Sequence, residues 1–166
     1  WSSTASVQFN TFDRDSLTGT AAGAGLFADR LSGSIAWNTF YGCHSAALSG
    51  ATVLVRASPM ASFTNNVIAH STGGPAVSVY SGATAGCNDY WGNLGGNFGW
   101  NYPPGAQDLF QDPQFCDPES GDFTVRSTSP CAEGNFPPCG QIGAHGVGCG
   151  PVAIEPTSWS KIKSDY

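Results

Sequence analysis

The chain has 166 residues, enough for one domain with a buried core. Charged residues make up 11% of it, against roughly 25% in an average soluble domain, and glycine stands at 22 residues, so the polar surface must come from Ser, Thr, Asn and Gln. A net charge of −6 with six Lys plus Arg disfavours nucleic acid phosphates, and no apolar run approaches the ~20 residues that cross a bilayer, so membrane insertion is not expected.

Few windows are rich in helix formers, so the expected elements are strands and turns. Trp1 opens directly on polar sequence without the pattern of a signal peptide, which reads as a mature or excised piece whose beginning lies elsewhere. The first element is VQFNTF at residues 7–12. Gapless copies follow as IAWNTF at 35–40 and FTNNVI at 63–68, with a weaker copy, AGCNDY, at 85–90. Each reads apolar-x-x-Asn-x-apolar, and Asn10, Asn38, Asn66 and Asn88 are spaced 28, 28 and 22 residues apart.

Residues five apart on a straight strand point to opposite faces, yet both ends of this motif are apolar. A bend at the asparagine resolves the conflict, because Asn tolerates the left-handed backbone of a corner. A bend recurring every 22 to 28 residues describes one coil of a solenoid. Its parallel strands stack about 4.8 Å apart, which places the four asparagines in a hydrogen-bonded ladder. A second strand per coil is expected at residues 25–27, 46–48 and 75–79, with variable loops at 13–24 and 50–59. The rival arrangement is a small β-sandwich.

Next along the chain comes YWGNLGGNFGWNYPPG, residues 90–105, uncharged and rich in aromatics, glycine and asparagine. Tyr90 holds the inward position of the motif, level with Phe12, Phe40 and Ile68. Trp91, Trp100 and Tyr102, with Asn93, Asn97 and Asn101, have the chemistry that holds neutral sugars, flat rings for stacking and amides for hydroxyls. Trp37 and Tyr41 on an earlier coil extend such a surface. The competing reading makes Phe98 and Trp100 a plug over the open end of the solenoid.

Six cysteines, at 43, 87, 116, 131, 139 and 149, close the inventory. An even number with no CxxC points to disulfides in an oxidising compartment rather than to zinc. All of Cys43, Cys87, Cys116, Cys131, Cys139 and Cys149 are expected to pair, in a connectivity the spacing leaves open. The domain plan is coils over 1–107, a stapled closing segment over 108–150 that covers the C-terminal end, and a tail over 151–166.

The Asn corner over residues 7–90, DPQF at 112–115, GDFTV at 121–125, SP at 129–130 and IGA at 142–144 together resemble the right-handed parallel β-helix repeat proteins of the pectate-lyase-like superfamily. The ending WSKIKSDY at 159–166 is similar to the C-terminus of secreted bacterial members. The resemblance implies an all-β, right-handed parallel β-helix of about three to four coils, secreted or on the cell surface. It is short for that family, so the N-terminal coil is expected to continue into a longer chain or to pair with another copy.

Members of that superfamily cut acidic polysaccharides with a calcium held by carboxylates and an Arg or Lys base. Calcium would suit the oxygen ligands of Asp13 and Asp15 beside Arg14, or of Asp29 beside Arg30, although solvated loop charges account for both clusters. The hydrolases' Gly-His-Gly is matched only by Ala144-His145-Gly146, without paired aspartates. His44, His70 and His145 share no metal-ligand spacing, and the glycines of 92–99 lack the lysine and context of a phosphate cradle. No catalytic residue, metal or cofactor is therefore assigned. The expected function is non-catalytic binding of neutral polysaccharide, with a lyase or hydrolase and a structural assembly module as the alternatives.

Overall fold

The computed structural model describes residues 4–19, 23–46, 51–58, 60–80, 82–99 and 103–149. The chain runs through four parallel sheets in the same order, circuit after circuit. The first circuit contains β1 (Val7–Gln8), β2 (Thr11–Asp13), β3 (Ser16–Leu17) and β4 (Leu26–Asp29). The second contains β5 (Ser34–Ala36), β6 (Thr39–Tyr41), β7 (His44–Ser45) and β8 (Val53–Arg56). The third contains β9 (Ser62–Thr64), β10 (Val67–Ala69), β11 (Thr72–Gly73) and β12 (Val77–Val79). The fourth begins with β13 (Thr84–Gly86) and β14 (Asp89–Trp91).

Sheet 1 stacks β1-β5-β9-β13, sheet 2 stacks β2-β6-β10-β14, sheet 3 stacks β3-β7-β11 and sheet 4 stacks β4-β8-β12. The arrangement is all-β with parallel strands stacked in sheets, compatible with a β-helix-like solenoid. The antiparallel pairing that a sandwich requires occurs among the named strands only between β15 (Phe115–Asp117) and β16 (Asp122–Arg126) of the C-terminal segment.

Register keeps the repeat's apolar residues in one column. Phe12, Phe40, Ile68 and Tyr90 are Cα partners along sheet 2, and Val7, Ile35 and Phe63 along sheet 1. Sheet 4 adds Val53, Val55, Val77 and Val79, and all these columns meet in one core. The rings of Phe12 and Phe40 stack at 4.5 Å. Both ends of each motif thus turn inward, as the bend requires.

The left-handed residue at each corner is the one before the asparagine: Phe9 (φ 56°), Trp37 (φ 52°), Asn65 (φ 57°) and Cys87 (φ 58°). The expectation placed it on the asparagine itself. The reason for the difference lies in the side chain's work. Each carboxamide must lie along the stacking axis, its Nδ2 donating to the Oδ1 of the next circuit's asparagine, and it donates back to the carbonyl two residues earlier in Asn10, Asn38 and Asn66. A second left-handed corner recurs four residues after each asparagine, at Arg14, Gly42, His70 and Gly92.

The second strand of the second circuit is Val53–Arg56, whose partners are Leu26–Asp29 and Val77–Val79. The expected strand at 46–48 falls largely outside the described residues, and the expected loop at 50–59 contains the strand instead. A fixed offset from the asparagine fails because the loop after sheet 3 changes length between circuits. A run of three apolar residues, two of them β-branched, is the better guide.

The C-terminal segment lies against the outer face of sheet 2. Its β15, β16 and β17 (Val147–Cys149) form a small sheet. Phe123, Val125, Cys131, Ala132 and Ile142 pack with Tyr41, Val67, Ala69 and Leu109 in a second core. Asp108 and Leu109 continue the solenoid, Leu109 bridging to Asp89. The C-terminal end of the stack meets Phe98 and Phe110, whose rings stand 4.9 and 6.0 Å from Tyr90. The 151–166 tail lies outside the described residues.

Two disulfides form, Cys87–Cys139 and Cys116–Cys149. They point to an oxidising, extracellular environment. Among the described residues no helix is long and apolar enough to cross a membrane. Cys43 and Cys131, expected to pair, are instead buried thiols. They belong to different cores, Cys43 inside the solenoid and Cys131 beneath the C-terminal segment, so neither can reach the other. Burial pushes the Cys43 thiol up to about 12, which makes it a small apolar filler. The Cys87–Cys139 bond ties the C-terminal segment to a corner across a sequence separation of 52. Cys139→Ser is therefore expected to cost roughly 2–4 kcal/mol, checked by urea unfolding of the oxidised proteins.

Candidate functional site

The corner between sheets 2 and 3 carries two exposed rings, His70 and Trp91. Tyr41, Ala69 and Trp91 hold the same register on three neighbouring strands, so the column spans roughly 10 Å. His70 takes the left-handed corner position beside it, exposed, and its N–H donates to the Trp91 carbonyl at 2.9 Å. Its ring meets Tyr41 edge-on at 5.3 Å. The next corner is glycine: Gly92 has φ 63°, and a Cβ there would sit 2.9 Å from the His70 ring, so a side chain would push that ring aside. The absence of a side chain leaves His70 and Trp91 as neighbours on an open surface.

Trp91 is 36% exposed, and Leu94 three residues on is 84% exposed. Asn93 is half-buried and holds the turn, its Oδ1 accepting from the Ser71 N–H at 2.9 Å and its Nδ2 donating to Ile68 O at 2.9 Å. Asn97 accepts from Asn93 Nδ2 through Oδ1 at 3.0 Å, which points its own amide N–H groups elsewhere.

The residues singled out in the sequence do not form one platform. Trp100, Asn101 and Tyr102 lie outside the described residues. Trp37 sits at the other corner, between sheets 1 and 2, stacked on Phe9 at 5.3 Å with an interplanar angle of 3°. Tyr41 is buried in the second core, its ring against Phe115 and Phe123. Trp91 and the half-buried Asn97 remain, and the structure adds, beside Trp91, His70, a residue the sequence weighed only for metal binding and did not assign. Its position four residues after Asn66 was the available signal, since that place recurs as an outward corner.

Asp13, Arg14 and Asp29 of the first circuit form ion pairs. Arg14 Nη1 meets Asp13 Oδ2 at 3.0 Å and Nη2 meets Glu119 Oε2 at 2.7 Å. Its guanidinium lies 5.6 Å from the Tyr41 ring centroid. The Tyr41 hydroxyl donates to Glu119 Oε1 at 3.2 Å, and burial first, then Glu119, raises its pKa. This set links the C-terminal segment to sheet 2 and engages Asp13, one of the carboxylates whose oxygens would suit calcium. Asp29 pairs with Arg56 of the next circuit at 2.8 Å, and the hydrogen bond from Arg56 is the main cause holding its carboxyl low. His44 and His145 bond Thr72 and Thr11 at 2.9 and 2.8 Å. Among the described residues no three His, Cys, Asp or Glu side chains converge to hold a metal ion.

No family model, curated protein or solved structure matches the chain.

Proposed function

We propose that this chain is a right-handed parallel β-helix of the pectate-lyase-like class, secreted by a bacterium, that binds neutral polysaccharide without cutting it. The observation that carries the reading is the exposed Trp91 face on a glycine-bordered surface, with His70 beside it and Asn97 close by in the chain. An indole stacks on the C–H face of a sugar ring, while the imidazole and carboxamide bond its hydroxyls. An acidic protein with few basic residues favours neutral glycans over uronate polymers.

The test is retention of the pure chain on cellulose, xylan, mannan and pectate, with the supernatants assayed for released sugar. Retention on a neutral glycan without release is expected, and Trp91→Ala should weaken it by roughly tenfold or more. Tighter retention on pectate than on xylan would overturn the preference for neutral glycans. Release of sugar would make the protein a lyase or hydrolase and turn attention to Asp13, Arg14 and Asp15.

A further inference from the structure

The two ends of the stack differ in what they leave unbonded. Phe98 and Phe110 cover Tyr90 at the C-terminal end. At the N-terminal end, among the described residues, β1, β2, β3 and β4 each have a strand neighbour on one side only. Val7, Phe12, Leu17 and Leu26 are only half-buried there, although their register partners Ile35, Phe40 and Val53 are fully buried. Phe9, which stacks on Trp37, is 59% exposed.

Hydrogen-bond polarity specifies what fits this edge. In every interface an asparagine Oδ1 accepts from both the backbone N–H and the Nδ2 of the asparagine one circuit earlier. The N–H after each rung residue donates to the carbonyl of the asparagine one circuit earlier, at Thr39, Val67, Asp89 and, after Asp108, Leu109. The edge presents the same two groups, Asn10 Oδ1 and Thr11 N–H, facing outward. Their complement is a corner that offers an N–H, a carboxamide NH₂ and a carbonyl together.

A copy of this chain stacked head to tail does not offer that set. Its ladder ends on Asp108, whose Oδ1 accepts from Asn88 N and Nδ2 and whose Oδ2 accepts from Gly105 N. The Asp108 N–H is turned inward onto Gly105 O. Asp108 over Asn10 would set acceptor against acceptor.

We infer that the N-terminal edge is a docking surface for a parallel β-circuit carrying an asparagine corner, supplied by a polypeptide segment other than a copy of this chain. The inference is independent of the polysaccharide reading. Its probe is a duplicate of residues 33–60 placed directly ahead of Ala5, in the register that residues 33–60 hold ahead of Ala61. The extended chain is expected to melt at least about 5 °C higher, and amide exchange at Thr11 to slow by about 100-fold or more. Changing the duplicated asparagine to aspartate should remove most of both gains. An extended chain that melts no higher, or fails to fold, overturns the inference. So does concentration-dependent association of the unextended chain that protects the Thr11 amide, because a copy would then be the occupant.

Discussion

Asn66→Asp is expected to unfold the chain at neutral pH, although the substitution exchanges one NH₂ group for one oxygen. Asn66 is fully buried at the centre of the ladder. Its Nδ2 donates to Ile35 O, Thr64 O and Asn88 Oδ1, each at 3.0 Å, while its Oδ1 accepts from Asn38 N and Nδ2. A carboxylate would set an oxygen against three acceptor oxygens and bury a charge with no cation beside it. The cost is on the order of 5 kcal/mol or more, comparable to the whole stability of a typical domain. Asn66→Ala leaves the same partners orphaned without the charge, and a loss of about 3 kcal/mol is expected. Asn10→Asp should cost only about 1 kcal/mol, because water reaches that exposed corner. Urea unfolding of the three variants checks the ranking, and acid should partly rescue Asn66→Asp by restoring one donor. Equal losses at positions 10 and 66 would mean that the ladder does not hold the stack.

The ladder was legible because its residues repeat at fixed places and have one chemical role. Two apolar residues five apart, with Asn between, could be reconciled only by a corner. The fifth rung was not legible: Asp108 lies 20 residues after Asn88, outside the motif's apolar frame, and looked like the first residue of the tail. Its carboxylate serves because the last rung needs only to accept. The landing place of the C-terminal segment was hidden by distance in sequence, yet a signal existed. Val67, Ile68 and Ala69 are apolar at three successive positions and all buried, the pattern of a strand covered on both faces. The candidate site was the least legible part. Trp37, Tyr41 and Trp91 share a residue class but occupy a corner stack, a core and a surface, and class alone does not say which way a ring points.

The attachment of that covering segment is expected to weaken as pH rises from about 4 to about 6, through Asp89. Its carboxyl is fully buried between sheet 2 and the C-terminal segment. Oδ1 accepts from the Gln111 N–H at 3.2 Å and Oδ2 from the Cys131 thiol at 3.2 Å. Burial is the main cause lifting its pKa from 3.8 to about 6; those two donors and the Tyr90 N–H pull it down, and the nearby Asp112 charge adds to the rise. Burial and the Asp89 charge in turn push the Cys131 thiol up, so it stays protonated as the donor. Because the folded pKa lies above the unfolded one, unfolding releases a proton in this window. The stabilising share is complete below about pH 3.8 and lost above about pH 6, roughly 3 kcal/mol in all. Asp108, also raised chiefly by burial, acts in the same direction. Asp89→Asn keeps an acceptor for Gln111 and removes the charge. It should flatten the stability profile between pH 4 and 6 and leave the protein more stable than the parent at pH 7.5. Cys131→Ala should steepen the profile, since the ionised carboxylate then loses a donor. Urea midpoints across pH measure all three, and a parent profile that rises from pH 4 to 6 would show that Asp89 is ionised without cost, its three donors outweighing its burial.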